Sequence, residues 1–152
     1  MAARDGDGDP EIATRWDALY RARSVSSPVN DTLGFVPDAL DDPAAGVSFT
    51  WTVPAAYCNS AGNLQGGILA AFADALLGGA LSAHLPPDRY PALAEMKISI
   101  LRPAPAGATI VGTAAVLKRG RRVSFVEAEI VGEDGKLIAK ASGTEIEVPA
   151  PD

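Results

Sequence analysis

Between residues 68 and 83 the chain carries almost no polar side chain, and the one carboxylate, Asp74, stands near the middle. A helix apolar on all sides is a buried helix. This run follows a polar, glycine-containing stretch that begins at Asn59. At 3.6 residues per turn, Leu69, Phe72 and Leu76 share one face, and Gly67, Ala71, Asp74 and Gly78 share the opposite one. The large face is expected to enter the concavity of a sheet. The small face lets another backbone or a ligand come close. Burying an unpaired carboxylate costs several kcal/mol or more, so Asp74 is expected to be paired, protonated or functional.

The flanking patterns predict what packs around this helix. Ile12, Trp16, Leu19 and Tyr20 repeat at helical spacing, with Asp9 as N-cap and Pro10 at the first position, predicting an amphipathic helix over 10–23. Residues 24–30 read as a linker and 32–37 as a short strand. Residues 47–53 alternate apolar and polar strictly, the mark of a half-buried strand, and Pro54 ends it. The central helix closes near His84, before Pro86-Pro87. Residues 91–101 read as a strand with Met96, Ile98 and Ile100 on one face. Long strands over 108–118 and 122–131 flank the turn Arg119-Gly120-Arg121, where Gly120 is free to take positive φ. A second turn at 133–136 leads into a last strand over 137–148. Strands joined by hairpins around one long helix predict the α+β class, an antiparallel sheet with the helix on one face. Residues 1–9 are expected to be disordered and 10–150 to form a single domain.

Composition narrows the functions. Lys and Arg total 13 against 19 Asp and Glu, a net charge of −6. That argues against a nucleic-acid partner and against adhesion to anionic membranes. The single Cys58 excludes an intrachain disulfide, has no evident base partner, and belongs to no zinc-ligand spacing. The segment Asp5-Gly6-Asp7-Gly8-Asp9 looks like the start of a calcium loop. However, Pro10 and Trp16 stand where such a loop needs Gly and Glu, so no metal is expected. The first ten residues lack an apolar core, so no secretory signal is read and a cytoplasmic location is expected. Asp74 and the many Gly and Ala residues argue that the apolar run is a buried helix, not a membrane span. His84, the only histidine, reads as a partner of the helix C-terminus. No Gly-x-Ser-x-Gly motif marks a serine hydrolase. Lys118, Arg119, Arg121 and Arg122 form a basic island: either a solvated hairpin tip or a phosphate-binding cluster, with Arg102 a weaker candidate.

Gly66 and Gly67 open the central helix, and their N–H groups are orphan donors at its positive end. Such donors suit a carbonyl oxygen that gains negative charge. Gly66 and Asp74 are eight residues apart, about 12 Å along a helix axis. One small acyl carbon does not reach both within one chain, so a site using both is built from two chains.

These residues resemble the hotdog-fold acyl-CoA thioesterases, specifically the phenylacetate-pathway (PaaI-like) type. That family's motif is an Asn, then His-Gly-Gly after five residues, then an Asp seven positions past the second Gly. Asn59, Gln65, Gly66, Gly67 and Asp74 stand at those places. The resemblance runs on through 95–104, 118–122, 135–139 and Gly143-Thr144, covering about 31–148. It implies a hotdog fold, an antiparallel sheet wrapped around one long central helix, here with an extra N-terminal helix. It implies that Asp74 is the nucleophile or general base. The Gly66 N–H, with Gly67, would polarise the thioester carbonyl, and Asn59 would position water or substrate from the partner subunit. Gln65 and the basic residues would contact substrate. The implied function is hydrolysis of an acyl-CoA thioester by a homodimer or tetramer. No cofactor is implied beyond coenzyme A as part of the substrate.

There are two departures. Gln65 replaces the family's frequent His and cannot titrate near neutrality. Leu93 stands where some relatives carry Ser or Thr near the carboxylate. Two alternatives stay open: a non-catalytic acyl-CoA or acyl-carrier binding protein, and a thioesterase for carrier-protein-bound chains.

Overall fold

The computed structural model describes residues 27–38 and 45–150. The helix expected over 10–23 and the disorder expected over 1–9 lie outside these residues. Helix α1 spans Pro28–Leu33, where a linker and the start of a strand were expected. The capping chemistry explains the difference. The Asn30 N–H donates to Ser27 Oγ at 3.4 Å, Pro28 sits at the first turn, and Gly34 closes the helix at φ 76°. These are start and stop signals that outweigh the apolar spacing of Leu33 and Phe35. Of the expected strand, Pro37 alone is recorded in a bridge, to Phe49. The segment is fixed by Phe35, whose ring lies 4.9 Å from Trp51 and 5.1 Å from Phe72, both edge-on.

Strand β1 (Val47–Thr52) buries alternate residues as its pattern predicts. A single 3₁₀ turn at Ala55–Tyr57 follows. Helix α2 runs Gly66–Ser82. Four long strands complete the sheet: β2 (Arg89–Ile100), β3 (Thr109–Arg119), β4 (Val123–Gly132) and β5 (Leu137–Pro149). The spatial order is β1-β3-β4-β5-β2, antiparallel throughout. β5 is therefore inserted between β4 and β2, and β2 is an edge. No described helix is long and apolar enough to cross a membrane.

One helix lies on this sheet, which is the hotdog arrangement. Leu69, Phe72, Leu76 and Leu77 are buried, so the large face of α2 enters the core as its spacing predicts. The sheet makes room with glycine. A Cβ on Gly112 of β3 would run into the Leu76 side chain and sit 2.7 Å from Phe72, and one on Gly143 of β5 would sit 2.9 Å from Leu77. Gly120 departs from expectation. It is absent from the positive-φ glycines, and a Cβ there would collide with the Val123 carbonyl oxygen. Close approach, not handedness, requires glycine in that turn. In the next turn Gly135 does take φ 72°.

Because Phe72 and Leu76 are fully enclosed, they have nowhere to yield. Gly112→Ala should destabilise the fold by about 1–3 kcal/mol through overpacking. The midpoint of urea unfolding measures it; an unchanged midpoint would show that α2 slides on the sheet.

Candidate active site

The loop before α2 is held by its own polar groups. Asn59 Oδ1 accepts from the Ala61 and Asn63 N–H groups at 3.0 and 3.3 Å, and the Asn59 N–H donates to the Asn63 carbonyl at 2.7 Å. The Leu64 N–H donates to the Ala104 carbonyl, which seats the loop on the proline-rich turn after β2. Asn59 thus uses its side-chain oxygen to shape the loop, leaving the amide nitrogen for other work. Gln65 is the N-cap residue but makes no side-chain capping bond, and its N–H donates to the Tyr57 carbonyl. The loop does not depend on the Gln65 side chain.

Among the described residues no acceptor is recorded for the Gly66 or Gly67 N–H, as expected at a helix start. A Cβ on Gly66 would press on Ile100 at 3.3 Å, whereas one on Gly67 would meet nothing within 4 Å. Gly67 and Asp74 are exposed and Ala71 and Gly78 are half-buried, so the small stripe faces away from the chain's own core. Although Asp74 is reached by solvent, partial desolvation beside the helix raises its carboxyl above the ordinary range.

Sequence reasoning missed Glu145. Along β5, Ala139, Ala141, Gly143 and Glu145 are the buried alternates. Glu145 is 1% exposed, and neither carboxyl oxygen has a hydrogen-bond partner among the described residues. Its register neighbours are Ser124 on β4, whose buried Oγ is also unpartnered, and Leu93 on β2. Burial, and then the Asp74 charge, raise Glu145 from 4.5 to about 7. The structure thus sets a second carboxyl group beside Asp74. The strand's alternation was a usable signal, since it puts an acid in the row of Ala and Gly that faces the helix.

The basic island is divided. Arg119 Nε and Nη2 donate to the Glu147 carboxylate at 2.9 and 3.4 Å, holding Glu147 below its ordinary range. The Glu147 N–H donates to the Arg122 carbonyl, which pins the hairpin. Lys118, Arg121 and Arg122 are exposed, with no ion pair recorded among the described residues. Arg102 lies at the opposite end of β2, close enough to influence Asp134. Gly66, beside Ile100, shares that end. One chain therefore does not bring its helix entry and its basic hairpin together.

This fold and site define a hotdog protein with a carboxylate on its central helix. The chain belongs to the Thioesterase superfamily, whose profile matches residues 61–139. Among solved structures, it is similar to a phenylacetic acid degradation-related protein from Ralstonia eutropha. That match has 32% identity and a TM-score of 0.76, covering 86% of this chain and 98% of that one. The PaaI protein of the phenylacetic acid degradation operon of E. coli shares the fold, with a TM-score of 0.77, 93% and 96% coverage and 23% identity. A Caenorhabditis elegans protein named as an esterase is 35% identical over 89 residues. That alignment spans 58% of this chain and about half of the relative, 52%.

Glu145 links the site to stability. The unfolded carboxyl ionises near 4.5 and the folded one near 7. Stability from this group is complete below 4.5 and is lost as pH rises through 7. The loss amounts to about 3 kcal/mol at 1.36 kcal/mol per pH unit. Urea unfolding across this window should show Glu145→Gln losing less stability than wild type by about that amount. Parallel curves would mean that Glu145 ionises as an ordinary surface acid.

Proposed function

We propose that this protein hydrolyses an acyl-CoA thioester to the free acid and coenzyme A, at sites shared between two subunits. One observation carries the reading: Asp74 lies on an outward-facing stripe of small residues, on the helix that begins with the unengaged Gly66 N–H. The carboxylate acts as nucleophile or activates water. The N–H of Gly66, with Gly67, stabilises the oxyanion of the tetrahedral intermediate. Asn59 orients water or substrate through its amide nitrogen, and Gln65 and Gly67 border the thioester. Such a reaction needs no metal or redox cofactor; coenzyme A enters as part of the substrate.

The dimer is supported by β2. It is a 12-residue edge strand, and a long uncovered edge is an invitation to pair. At about 3.3 Å per residue its ends lie roughly 35 Å apart. Antiparallel pairing of two β2 edges about a two-fold axis brings the Gly66 end of one chain towards the basic hairpin of the other. Lys118, Arg121 and Arg122 would then meet the nucleotide phosphates, and Arg119 would brace the hairpin through Glu147. Arg102 sits at the helix-entry end.

Asp74→Asn keeps the shape and removes the base. It should lower kcat by about 10²–10⁴-fold, with folding and substrate binding retained. Gly66→Pro deletes the oxyanion donor and should be nearly inactive as a homodimer. A mixed dimer of the two has one site with both lesions and one with neither, and should recover about half the activity. Folded mixed dimers without activity would overturn the shared site. Tight acyl-CoA binding by wild type with no turnover would favour a binding protein, and preference for carrier-bound acyl groups would change the thiol.

Arg121→Ala should raise KM for an acyl-CoA more than for the matching acyl-pantetheine, which lacks the nucleotide. Steady-state kinetics on the two substrates decide it, and equal effects would remove the phosphate role.

A further inference from the structure

Glu145 fills buried volume, but packing does not call for a carboxyl group there. A buried carboxyl group without hydrogen-bond partners is costly, and an apolar side chain of similar volume would fill the place more favourably. Nor, among the described residues, is it half of a buried ion pair. The groups that face it can be taken element by element. From α2 the only charged one is Asp74, whose field reaches it. On β4 the neighbour is Ser124, neutral and itself unpartnered, and on β2 it is Leu93. In the same cross-strand row Arg119 of β3 stands opposite Ser124 but is engaged by Glu147, and Arg89 of β2 donates through Nη2 to the Glu147 main-chain carbonyl at 3.1 Å. No cation of the described residues bonds to the Glu145 oxygens. Among the described residues, only a proton is left to neutralise this group.

The two carboxyl groups differ in one respect. Asp74 is exposed on the helix surface, and Glu145 is sealed between helix and sheet. Two neighbouring carboxyl groups do not both ionise easily, and their protons leave in two coupled steps. The exposed member gives up its proton first.

We propose that Glu145 is a positioning residue for Asp74: it holds a proton beneath α2, so that the pair carries a single negative charge, on Asp74. This rests on Asp74 being the thioesterase carboxylate. With Glu145 neutral, Asp74 ionises without a like charge behind it. Once Glu145 loses its proton to solvent, an uncompensated charge lies under the helix, and the site leaves its working geometry. The working form is bounded on the acid side by ionisation of Asp74 and on the alkaline side by ionisation of Glu145. The enzyme therefore contains its own upper pH limit, set by a residue that touches no substrate.

The test has two independent arms. In the first, kcat/KM for an acyl-CoA is followed from about pH 5 to about pH 9 for wild type and Glu145→Gln. Wild type should show an alkaline fall with its midpoint near 7, and the variant should keep its neutral activity and lose that fall. A variant with the same alkaline fall overturns the proposal, as does one in which activity drops equally at every pH. The second arm needs neither turnover nor a substitution at 145. Carboxyl ¹³C resonances of the full protein are titrated by NMR in wild type and in Asp74→Asn. The Glu145 signal, assigned through its bonded neighbours, should titrate near 7 and move towards the ordinary glutamate range when Asp74 is neutralised. An unmoved midpoint overturns the coupling. Should the protein hydrolyse no thioester, the proposed function fails in the first arm, and the second still decides whether the two groups share one charge.

Discussion

Everything in this molecule depends on how closely one helix approaches one sheet. α2 must bury Phe72, Leu76 and Leu77 completely, and it has a single layer in which to do so. Glycine in β3 and β5 lets those side chains sink to the backbone of the strands. The close approach sets the depth of the helix, and its depth decides what stands proud of it. The stripe of Gly67, Ala71, Asp74 and Gly78 is available because the opposite stripe is so fully used.

The same closeness explains the electrostatics. A carboxyl group on the inner face of β5 finds itself in a dry, tightly packed layer. One on the outer turn of α2 keeps contact with solvent. Each feels the other's charge, yet their environments separate them as acids. Dry interiors strengthen the interaction between charges and penalise each alone. A hotdog layer one helix thick therefore lets groups on opposite faces of the helix influence one another.

Much of this was legible in the sequence, and the reasons are local. The strict alternation of 47–53 and the apolar run after Gly67 carry their periodicities in adjacent residues. Gly66, Gly67 and Asp74 sit on one continuous helix, so their spacing is fixed by helix geometry alone. What failed needed either better local chemistry or tertiary information. The Ser27-Pro28 start and the Gly34 stop were present in the chain but were outweighed by apolar spacing. A hairpin glycine suggests a left-handed turn at Gly120, whereas its requirement comes from the Val123 carbonyl. Glu145 was invisible as a site residue because its importance comes from lying under α2, about seventy positions away in the chain. Strand order belongs to the same category: no local pattern tells β5 to insert between β4 and β2.

That insertion shapes the route by which the chain reaches its structure. β2 is made before β3 and β4, yet its partner within the sheet is β5, the last of the five described strands in chain order. Until β5 arrives, α2 has an incomplete surface to cover its apolar face, and β2 and β4 each present an unpaired edge. Non-local closure of this kind is slow and leaves sticky intermediates in the meantime. The final strand acts as the keystone of an arch, and a nascent chain stalled before it would be a ready client for chaperones.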